Sequence, residues 1–434
     1  MILMLFQALS YFDKQLFGLL SAPLSSGLGL SDLHLGLLQG LAFSLPYSIA
    51  TLGFGWAADR YSPRILLFAC VFLWSLAALS TGLAWSFASV FCARIALGVG
   101  EAGLQPCAYK IIARTASSAH MGTAVSFYTS GGIMGSAGAL MLGGAIINAL
   151  TLADGVALPI LGHLAPWQAS FVSLGLPGLL TAFAAFFLPR LAASPAPAPD
   201  IKVADASGLK AFWMQHRVLL SCHYGIFALL GISLFASMAW TPVHLVRNFN
   251  MSFKDIGLIM GAATAAGAIG GTLWGVLSDA LRRQGMMTAT YLLLFCLALI
   301  GAPCGVAAFL VTSPTLFTIL FCLNCAFGSF SVLAAVVPQF APTHLIGRLF
   351  GIQAFVLGSL GAGLAPLIVA ALTENLFGNP ASVGKALSLT TAACGMGACT
   401  LLALGLKPLR TAIGAFNSKP QAEEPGSNPK ILAV

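Results

Sequence analysis

The chain has 434 residues, of which 58% are hydrophobic and only 7% are charged, and its mean hydropathy is +0.93. Soluble domains carry about 25% charged residues. This composition excludes a water-soluble protein, because only lipid accepts apolar side chains on every outward face. The net charge of +8 would suit a nucleic-acid partner, but the positions of the basic residues favour a role in membrane orientation instead.

Apolar runs long enough to cross a bilayer, about 20 residues each, recur twelve times along the chain. They begin near Ile2, Leu33, Ile65, Ala88, Met121, Ala169, Val218, Phe253, Met286, Thr315, Ile346 and Ser382. The pattern predicts an all-α membrane protein with twelve transmembrane helices. The first run begins directly after Met1 without a basic leader, so we expect no cleaved signal peptide.

One long polar interruption, from Arg190 to Arg217, divides the predicted helices into two sets of six. Its Pro- and Ala-rich part is typical of a linker. We therefore predict an N-terminal six-helix bundle over residues 1–190 and a C-terminal six-helix bundle over residues 216–407. Residues 191–215 would form a cytoplasmic linker, and residues 408–434 a disordered cytoplasmic tail.

Most basic residues fall on one side of the predicted membrane. With both ends inside, fifteen of the twenty Lys and Arg lie in inner loops or at the ends. Three of the others (Arg247, Lys254 and Lys385) face outside, and two (Lys14 and Arg94) lie within helices. This bias is typical of positive-inside topology. We expect a multi-pass protein of the cell inner membrane with both termini cytoplasmic and no nucleic-acid partner.

No segment has the residue pattern of a metal, cofactor or catalytic site. The ten cysteines lie in apolar runs without the paired spacing of a disulfide framework. The CxxC at Cys322 and Cys325 lacks a second pair or a nearby His. The seven histidines are scattered, and no phosphate-binding G-x-x-x-x-G-K-S/T sequence occurs. We expect no enzymatic activity, no cofactor and no ATP-driven step.

A segment at the start of the second predicted helix recurs 221 residues later. Leu30-Ser31, Gly36-Leu37 and Gly40 reappear as Met251-Ser252, Gly257-Leu258 and Gly261. A duplicated six-helix unit explains this repeat, and in such proteins the substrate site lies between the two halves. Glycines at small-residue spacing in both copies favour a close interface where the halves meet.

The same two helices end in related charge motifs at an offset of 220 residues. The first copy comprises Gly55, Asp59, Arg60 and Arg64, and the second comprises Gly275, Asp279, Arg282 and Arg283. We predict a gating role at the cytoplasmic side, where facing loops would latch onto these residues. The alternative is charge that only sets topology, which would not account for the glycine and aspartate at fixed offsets.

The first motif resembles the signature of the major facilitator superfamily, and its weaker copy stands where that family has one. A closer resemblance, to the spinster-like branch, is carried by short segments at Tyr11–Gln15, Ala57–Arg60, Arg94 with Gly98–Ala102, Trp167–Phe171 and Trp240–Pro242. The resemblance implies two pseudo-symmetric six-helix bundles that work by alternating access. Members of that branch usually have Arg where Lys14 and Gln168 stand here, and Lys differs from Arg in its chemistry.

Four ionisable residues lie inside predicted membrane helices, where such groups are candidate functional residues. Arg94 and Glu101 share one face of the fourth helix, about 10.5 Å apart along its axis, whereas Asp13 and Lys14 are neighbours on the first helix and face different ways. We predict that Asp13 and Glu101 accept protons and that Arg94 is their counter-charge. The resemblance to the spinster-like family implies the proton-coupling role of these two carboxylates. The alternative is a fixed ion network that only holds the first and fourth helices together.

The second half lacks these charges, because the repeat places Asn324 opposite Arg94 and Ser331 opposite Glu101. We expect the first half to handle protons and the second half to supply a less polar pocket. Candidate substrate-binding residues are His223, Tyr224, Trp240, Asn324, Gln353 and, in the first half, Tyr128. Each has the alternative of a packing residue or an interface anchor.

Cations on one wall and an apolar surface on the other suit a substrate with an anionic head and an apolar body, such as a lysolipid-like molecule or an organic acid. The resulting hypothesis is a monomeric, proton-coupled secondary active transporter of a small molecule in the lipid bilayer. The alternatives are a multidrug-type efflux carrier, an uncoupled facilitator and a non-transporting ligand sensor. The sequence leaves import or export open, as it does symport, antiport or uniport.

Overall fold

The computed structural model describes residues 1–117, 120–159, 162–189, 206–328 and 331–417. The helices of the first half are α1 (Ile2–Leu28), α2 (Asp32–Gln39), α3 (Leu41–Arg60), α4 (Pro63–Gly82), α5 (Phe87–Ala102), α6 (Leu104–Thr115), α7 (Met121–Gly138), α8 (Gly144–Leu152) and α9 (Pro166–Ala182). A π-helical turn, Ala139–Gly143, joins α7 to α8, and a 3-10 turn, Phe183–Phe187, extends α9. A short antiparallel hairpin of β1 (Val156–Leu158) and β2 (Gly162–Leu164) precedes α9.

The second half has the same alternation of long helices and short turns. Its helices are α10 (Ala206–Gln215), α11 (Arg217–Phe249), α12 (Phe253–Arg283), α13 (Ala289–Ala308), α14 (Pro314–Phe327), α15 (Ser331–Ala334), α16 (Thr343–Val356), α17 (Ala365–Ala371) and α18 (Val383–Asn417). Two π-helical segments, Leu357–Leu364 and Leu372–Leu376, flank α17. The 3-10 turns Val337–Gln339 and Pro380–Ser382 lie in the connections before α16 and α18.

Eleven crossings in the described part of the chain are long and apolar enough to span a membrane. The remaining crossing is α1, which has 27 residues but carries Gln7, Ser10, Asp13 and Lys14. The first three of these polar side chains are buried inside the protein rather than exposed to lipid. With α1 included, the chain has the predicted twelve transmembrane helices in two six-helix bundles.

The internal repeat marks an equivalent corner in each half. α1 and α11 both end at a residue in the left-handed region, Gly29 (φ 62°) and Asn250 (φ 50°). Ser31 and Ser252 follow, and each accepts a hydrogen bond from the backbone N–H three residues on. A left-handed residue followed by a capping serine ends one helix and starts the next within three residues.

The second half of the predicted linker is helical. Residues 206–215 form α10, which packs against α11. Phe212 of α10 is buried, and its ring stacks on that of Phe340 with 6.1 Å between the ring centroids. The remaining linker residues, 190–205, lie outside the described residues.

The predicted disordered tail is wrong over residues 408–417, because α18 continues to Asn417. Leu409 and Ile413 are buried on the same face of this extension, and apolar residues at helical spacing favour a helix that packs on the bundle. The rest of the predicted tail, residues 418–434, lies outside the described residues.

The two halves meet mainly toward one end of the molecule. We call the end that bears Met1 and Asn417 the terminal end, and the opposite end the distal end. In the distal part α2 packs against α17 and α8 packs against α12. A Cβ atom at Gly358 would lie 3.4 Å from Ser48 Oγ, but a Cβ at Gly55 or Gly351, nearer the terminal end, would meet no atom of the described residues within 4 Å. The space between the halves therefore opens toward the terminal end.

Candidate functional site in the core of the first half

Lys14, Glu101 and Ser10 form a compact polar cluster between α1 and α5. Lys14 Nζ lies 2.5 Å from Glu101 Oε2, and Ser10 Oγ donates a hydrogen bond to the same oxygen at 2.8 Å. Lys14 Nζ also donates to Ser10 Oγ at 3.0 Å. Ser10 and Lys14 are one helical turn apart, so both side chains face α5. The sequence predicted the two charges but not Ser10, which fixes the carboxylate of Glu101.

The two partners of this ion pair differ in their exposure. The side chain of Lys14 is 31% exposed, whereas that of Glu101 is 0% exposed. The rings of Tyr11, Phe43 and Tyr47 surround Lys14 Nζ, with centroids 5.0, 5.5 and 5.6 Å away. Glu101 Oε1 is buried and has no hydrogen-bond partner among the described residues. The site thus presents an accessible cation in front of a buried carboxylate with one unsatisfied oxygen.

Arg94 is held in this conformation by a backbone carbonyl and two aromatic rings. Its Nε donates to the carbonyl oxygen of Leu38 at 3.0 Å, and its guanidinium lies 4.1 Å from the ring centroid of Phe17 and 5.0 Å from that of Phe43. The carbonyl of Leu38 is available because the helix breaks at Gly40, between α2 and α3. Lys14, rather than Arg94, is therefore the cation paired with Glu101 here. Asp13 is buried on α1 and forms no ion pair with any residue that the structure describes.

A cavity of about 320 Å³ lies in the second half, between α11, α12, α13, α14 and α18. Most of its lining consists of Leu, Met, Phe, Ala and Gly side chains, and its polar groups come from Ser233, Ser237, Thr264, Asn324 and Thr391. Ser237 Oγ is buried without a hydrogen-bond partner in the described part of the chain. This volume is at the lower end of the range for small-molecule sites, about 300–1,000 Å³.

The cavity and the polar cluster approach each other across the interface between the halves. Met238 on α11 lines the cavity, and its carbonyl oxygen would lie 3.6 Å from a Cβ atom at Gly18 on α1. Gly18 is one turn beyond Lys14 and lies on the same face of α1. This approach brings α1, which carries Lys14, against α11, which lines the cavity.

Asn324 is the predicted substrate-binding residue that lines this cavity. The structure places Trp240 and Tyr224 elsewhere, in the packed interior of the second half and its contact with α17. Trp240 Nε1 donates to the carbonyl of Pro366 at 2.9 Å, and Tyr224 Oη donates to the carbonyl of Leu349 at 3.0 Å. Large aromatic side chains with a polar tip are suited to such packed sites. The sequence could not show whether these two side chains pack in the interior or line a cavity.

The other three predicted substrate-binding residues also lie outside the cavity lining. His223 is fully buried, with Tyr291 Oη 3.3 Å from its Nδ1. Gln353 lies on α16, and its Oε1 is buried without a partner among the described residues. Tyr128 is buried in the first half, where its ring meets that of Tyr109 at 5.6 Å. The side chain of Ser331, predicted opposite Glu101, lies outside the described residues.

The first copy of the charge motif makes contacts within its own half. Arg60 stacks over the ring of Trp56 at 4.1 Å, and Arg64 Nη1 donates to the carbonyl of Phe186 at 3.3 Å. The side chain of Asp59 lies outside the described residues.

The second copy is likewise not engaged by the first half through any described ion pair. Arg282 lies 3.6 Å from Asp279, one turn away on the same helix. Arg283 is exposed, and a Cβ atom at Gly275 would have no atom within 4 Å in the part of the chain that the structure describes. The gating role of the two motif copies stays a prediction, because the side chain of Asp59 lies outside the described residues.

The distal end is closed by a set of polar contacts that sequence reasoning missed, which we call the distal lock. Arg247 on α11 donates two hydrogen bonds to Asp32 on α2, from Nη2 to Oδ1 at 2.6 Å and from Nη1 to Oδ2 at 2.8 Å. Glu374 Oε1 accepts from the backbone N–H of Leu33 at 2.8 Å. A carboxylate from the second half thus satisfies a free N–H in the first turn of a helix from the first half.

Glycine allows the backbones of the two halves to touch beneath the distal lock. A Cβ atom at Gly36 would lie 2.9 Å from the carbonyl oxygen of Pro366, and one at Gly40 would overlap the carbonyl of Gly363. Small residues are needed at such close helix contacts. Asp32 follows the capping Ser31, so the sequence could indicate that it lies at a helix start. The sequence could not indicate its partner, which is 215 residues away.

These features define a class of protein. Two six-helix bundles meet at the distal lock. The first holds the ion pair of Lys14 and Glu101 and the second encloses a mostly apolar cavity, an arrangement typical of a membrane transporter. Among the described residues no group of His, Cys, Asp and Glu side chains is arranged to hold a metal. The profile of the Major Facilitator Superfamily matches residues 3–366. The chain belongs to this superfamily and is a multi-pass membrane transporter of small molecules, not an enzyme.

Curated relatives span most of the chain at modest identity. A probable L-galactonate transporter of Escherichia coli is 26% identical over 393 residues, which cover 85% of this chain and 82% of that protein. An MFS-type efflux pump of Mycolicibacterium smegmatis is 25% identical over 405 residues, covering 90% and 88%. A probable sulfoacetate transporter of Cupriavidus necator is 26% identical over 415 residues, covering 93% and 92%.

Solved structures share the fold. A bacterial homologue of the human lysosomal transporter Spinster, in an inward-facing and unoccupied conformation, superposes with a TM-score of 0.74 at 20% identity over 96% of both chains. A D-xylose-proton symporter superposes with a TM-score of 0.66 at 14% identity, covering 91% of this chain and 95% of that one. The resemblance to the spinster-like fold that the sequence indicated is confirmed.

Proposed function

We propose that the chain is a secondary active carrier that moves an organic anion with an apolar body together with protons, by alternating access. One observation carries this proposal: the side chain of Lys14 is 31% exposed, whereas that of its partner Glu101 is fully buried. We infer that the exposed part of Lys14 faces the space between the halves. An anion entering that space meets a cation already neutralised by a carboxylate. Substrate and Glu101 therefore compete for Lys14.

The competition provides a mechanism for coupling. While Glu101 is ionised, it occupies Lys14, and a second anion at that site would be repelled. When a proton binds Glu101, the unsatisfied Oε1 is where the hydroxyl forms, and Lys14 becomes free to pair with the substrate. By linkage, the bound anion must raise the affinity of Glu101 for its proton by the same factor. The geometry favours movement of proton and anion in the same direction.

The substrate class follows from the two walls. The relatives include probable carriers of L-galactonate and sulfoacetate. The first anion bears a carboxylate and the second bears both a sulfonate and a carboxylate, and Lys14 offers a suitable point charge for either group. The second wall differs from a sugar site, because its few polar groups are separated by Leu, Met and Phe side chains. We assign the substrate to organic acids or lysolipid-like molecules whose non-ionic part is apolar.

Orientation follows from the charge distribution in the chain. The excess of Lys and Arg in the loops at the terminal end supports an inner-membrane protein whose terminal end faces the cytoplasm. The conformation with a closed distal lock is then open to the cytoplasm. The described residues of one chain form both walls of the site, so we assign transport to the monomer.

The test is flux into proteoliposomes with an imposed pH gradient and a dye that reports lumenal pH. The panel contains alkyl carboxylates and alkyl sulfonates of increasing chain length, with L-galactonate as the polyhydroxylated comparison. Wild type is compared with Glu101→Gln and Lys14→Gln, and Asp154→Asn serves as a control, because this loop carboxylate lies far from the cluster in sequence and in a turn that Asn accepts (φ 54°).

We expect gradient-driven flux with acidification in the wild type and the control. Glu101→Gln should still exchange substrate but ignore the gradient, because Lys14 is permanently free, and Lys14→Gln should lose saturable anion uptake. Undiminished gradient dependence in Glu101→Gln would contradict the coupling role. Transport of uncharged drug-like compounds that is unaffected by Lys14→Gln would instead support an efflux carrier.

A further inference from the structure

A second cavity, of about 550 Å³, lies at the terminal end of the second half, away from the space between the halves. It is bounded by the end of α12, the start of α13, the 3-10 turn before α16 and the end of α18. Its polar wall includes Arg282, Arg283 and Gln339, and its apolar wall includes Met287, Ile413 and Phe416. The proposed transport mechanism uses none of these residues as a substrate ligand.

In the first half, an arginine side chain bridges the helix ends that correspond to this cavity. Arg64 reaches across to the end of the sixth crossing, where it donates to the carbonyl of Phe186 at 3.3 Å and lies 5.7 Å from that ring. The repeat offset of 220 residues puts Gln284, not an arginine, opposite Arg64. The second half therefore lacks the side chain that bridges these elements in the first half, and the cavity remains open.

The charge of this cavity is poorly neutralised by the protein. Arg282 has Asp279 at 3.6 Å, and both side chains are exposed. Arg283 is exposed and forms no ion pair or hydrogen bond with any described residue. Arginine offers a planar fork of donors that matches the oxygens of a phosphate group. Two adjacent guanidinium groups with a single carboxylate near them leave an anion-binding site with net positive charge.

Exposed apolar side chains lie close to the cavity on the same helices. Val276 and Leu277, just before the polar wall on α12, are exposed, and so is Leu404 on α18, just over three turns before Phe416. Exposed apolar side chains on the outer face of a membrane protein contact acyl chains. Met287 and Phe416, partly exposed in the cavity itself, continue this apolar surface up to the two arginines.

We propose that this cavity binds one anionic phospholipid of the leaflet at the terminal end. Arg282 and Arg283 hold the phosphate, and the upper part of an acyl chain lies along Met287, Ile413 and Phe416. A soluble phosphate would use the arginines but leave the apolar wall exposed, so the amphiphilic lining favours the lipid. Basic sites on the cytoplasmic side of membrane proteins select anionic over zwitterionic headgroups.

The experiment is native mass spectrometry of the full-length detergent-solubilised chain titrated with phosphatidylglycerol, with phosphatidylcholine as the zwitterionic comparison. Wild type is compared with the Arg282→Gln/Arg283→Gln double variant. Arg217→Gln is the matched control, because it removes an exposed arginine at the terminal end outside the cavity. Melting temperatures of all variants check that each remains folded. Loss of two charge-assisted contacts should weaken phosphatidylglycerol binding by at least about tenfold.

The proposal is supported by one tightly bound phosphatidylglycerol that the double variant loses, that the control retains and that phosphatidylcholine does not replace. Equal lipid binding in the double variant and the control would overturn it. Displacement of the lipid by an equal concentration of inorganic phosphate would also overturn it, in favour of a soluble anion. At least tenfold tighter lipid binding after deletion of residues 418–434 would overturn it too, because the acidic segment at Glu423 and Glu424 would then be the occupant.

Discussion

The distal lock is predicted to set which end of the transporter is open. Asp32 and Arg247 are side chains from opposite halves, joined by two short hydrogen bonds, and they must separate when the distal end opens. The informative perturbations are Arg247→Gln and Asp32→Asn, which remove one charge each and keep a similar shape. Both should shift the protein toward the conformation that is open at the distal end.

The expected size of this shift depends on how deeply Asp32 and Arg247 are buried. Removing one partner of a fully buried ion pair costs about 3–5 kcal/mol. The side chain of Asp32 is 4% exposed but that of Arg247 is 20% exposed, and Arg247 also has the carbonyl of Pro380 at 3.2 Å. We therefore expect a smaller cost, about 2 kcal/mol, which corresponds to about a thirtyfold change in the ratio of the two conformations.

Hydrogen exchange followed by mass spectrometry measures this shift at both ends at once. Peptides from α2 and the end of α11 should exchange faster in either variant, because the distal end opens. Peptides around Gly55 and Gly351, which face open space in this structure, should exchange more slowly, because the terminal end closes. Lys254→Gln, which removes an exposed cation near the distal end with no ion pair among the described residues, should leave both ends unchanged.

Two results would refute this reasoning. Faster exchange at α2 with no slowing at the terminal end would show local fraying rather than a change of conformation. Additive effects in the Asp32→Asn/Arg247→Gln double variant would show that the two side chains do not act as a unit. If they form one coupled pair, the double variant should shift the conformational ratio no more than either single variant does.

Three further predictions test the rest of the site. Gly40→Ala should also favour the distal-open conformation, because the added methyl overlaps the backbone of Gly363 at a cost of about 1–3 kcal/mol; the same exchange experiment measures it, and exchange like that of wild type would argue against the contact. Lys14→Arg should preserve anion uptake but change the preference between carboxylates and sulfonates, because a planar guanidinium with several donors replaces a point charge. Competition assays in proteoliposomes measure this preference, and an unchanged preference would contradict the assigned role of Lys14. Ser237→Leu should fill part of the cavity and weaken binding of long-chain more than short-chain substrates; equal losses across the series would place the apolar body elsewhere.

The fold was readable from the sequence because its signals are local. Each crossing is a continuous apolar run, and the linker is a continuous polar one. The repeat was readable for the same reason, since a left-handed residue before a capping serine at Gly29–Ser31 and Asn250–Ser252 fixes a helix junction within a few residues. The boundary predicted at residue 408 was wrong because the buried Leu409 and Ile413 lie among charged residues and next to Pro408.

The site was readable only in part, because its partners are set by packing between distant helices. The cost of burying charge identified Lys14, Arg94 and Glu101 as a group, but their pairing depends on where α1 sits against α5. Trp240 and Tyr224 have the composition of a binding site, and only the bundle geometry shows that they donate to backbone carbonyls instead. The distal lock joins residues more than 200 positions apart, and no local pattern connects them.

One short helix links the distal lock to the buried charges. α2 has eight residues; its first, Asp32, is held by Arg247, and the carbonyl of Leu38 near its other end holds Arg94. If α2 moves as a unit when the distal end opens, Leu38 leaves Arg94, and the freed guanidinium becomes available to Glu101 or Asp13. We therefore expect Arg247→Gln to shift the pH dependence of transport, and we expect Arg94→Gln to abolish that shift while leaving the hydrogen-exchange response of the distal end intact. A pH shift that survives Arg94→Gln would mean that the lock reaches the carboxylates by another route, since α2 would then transmit nothing through its carbonyl.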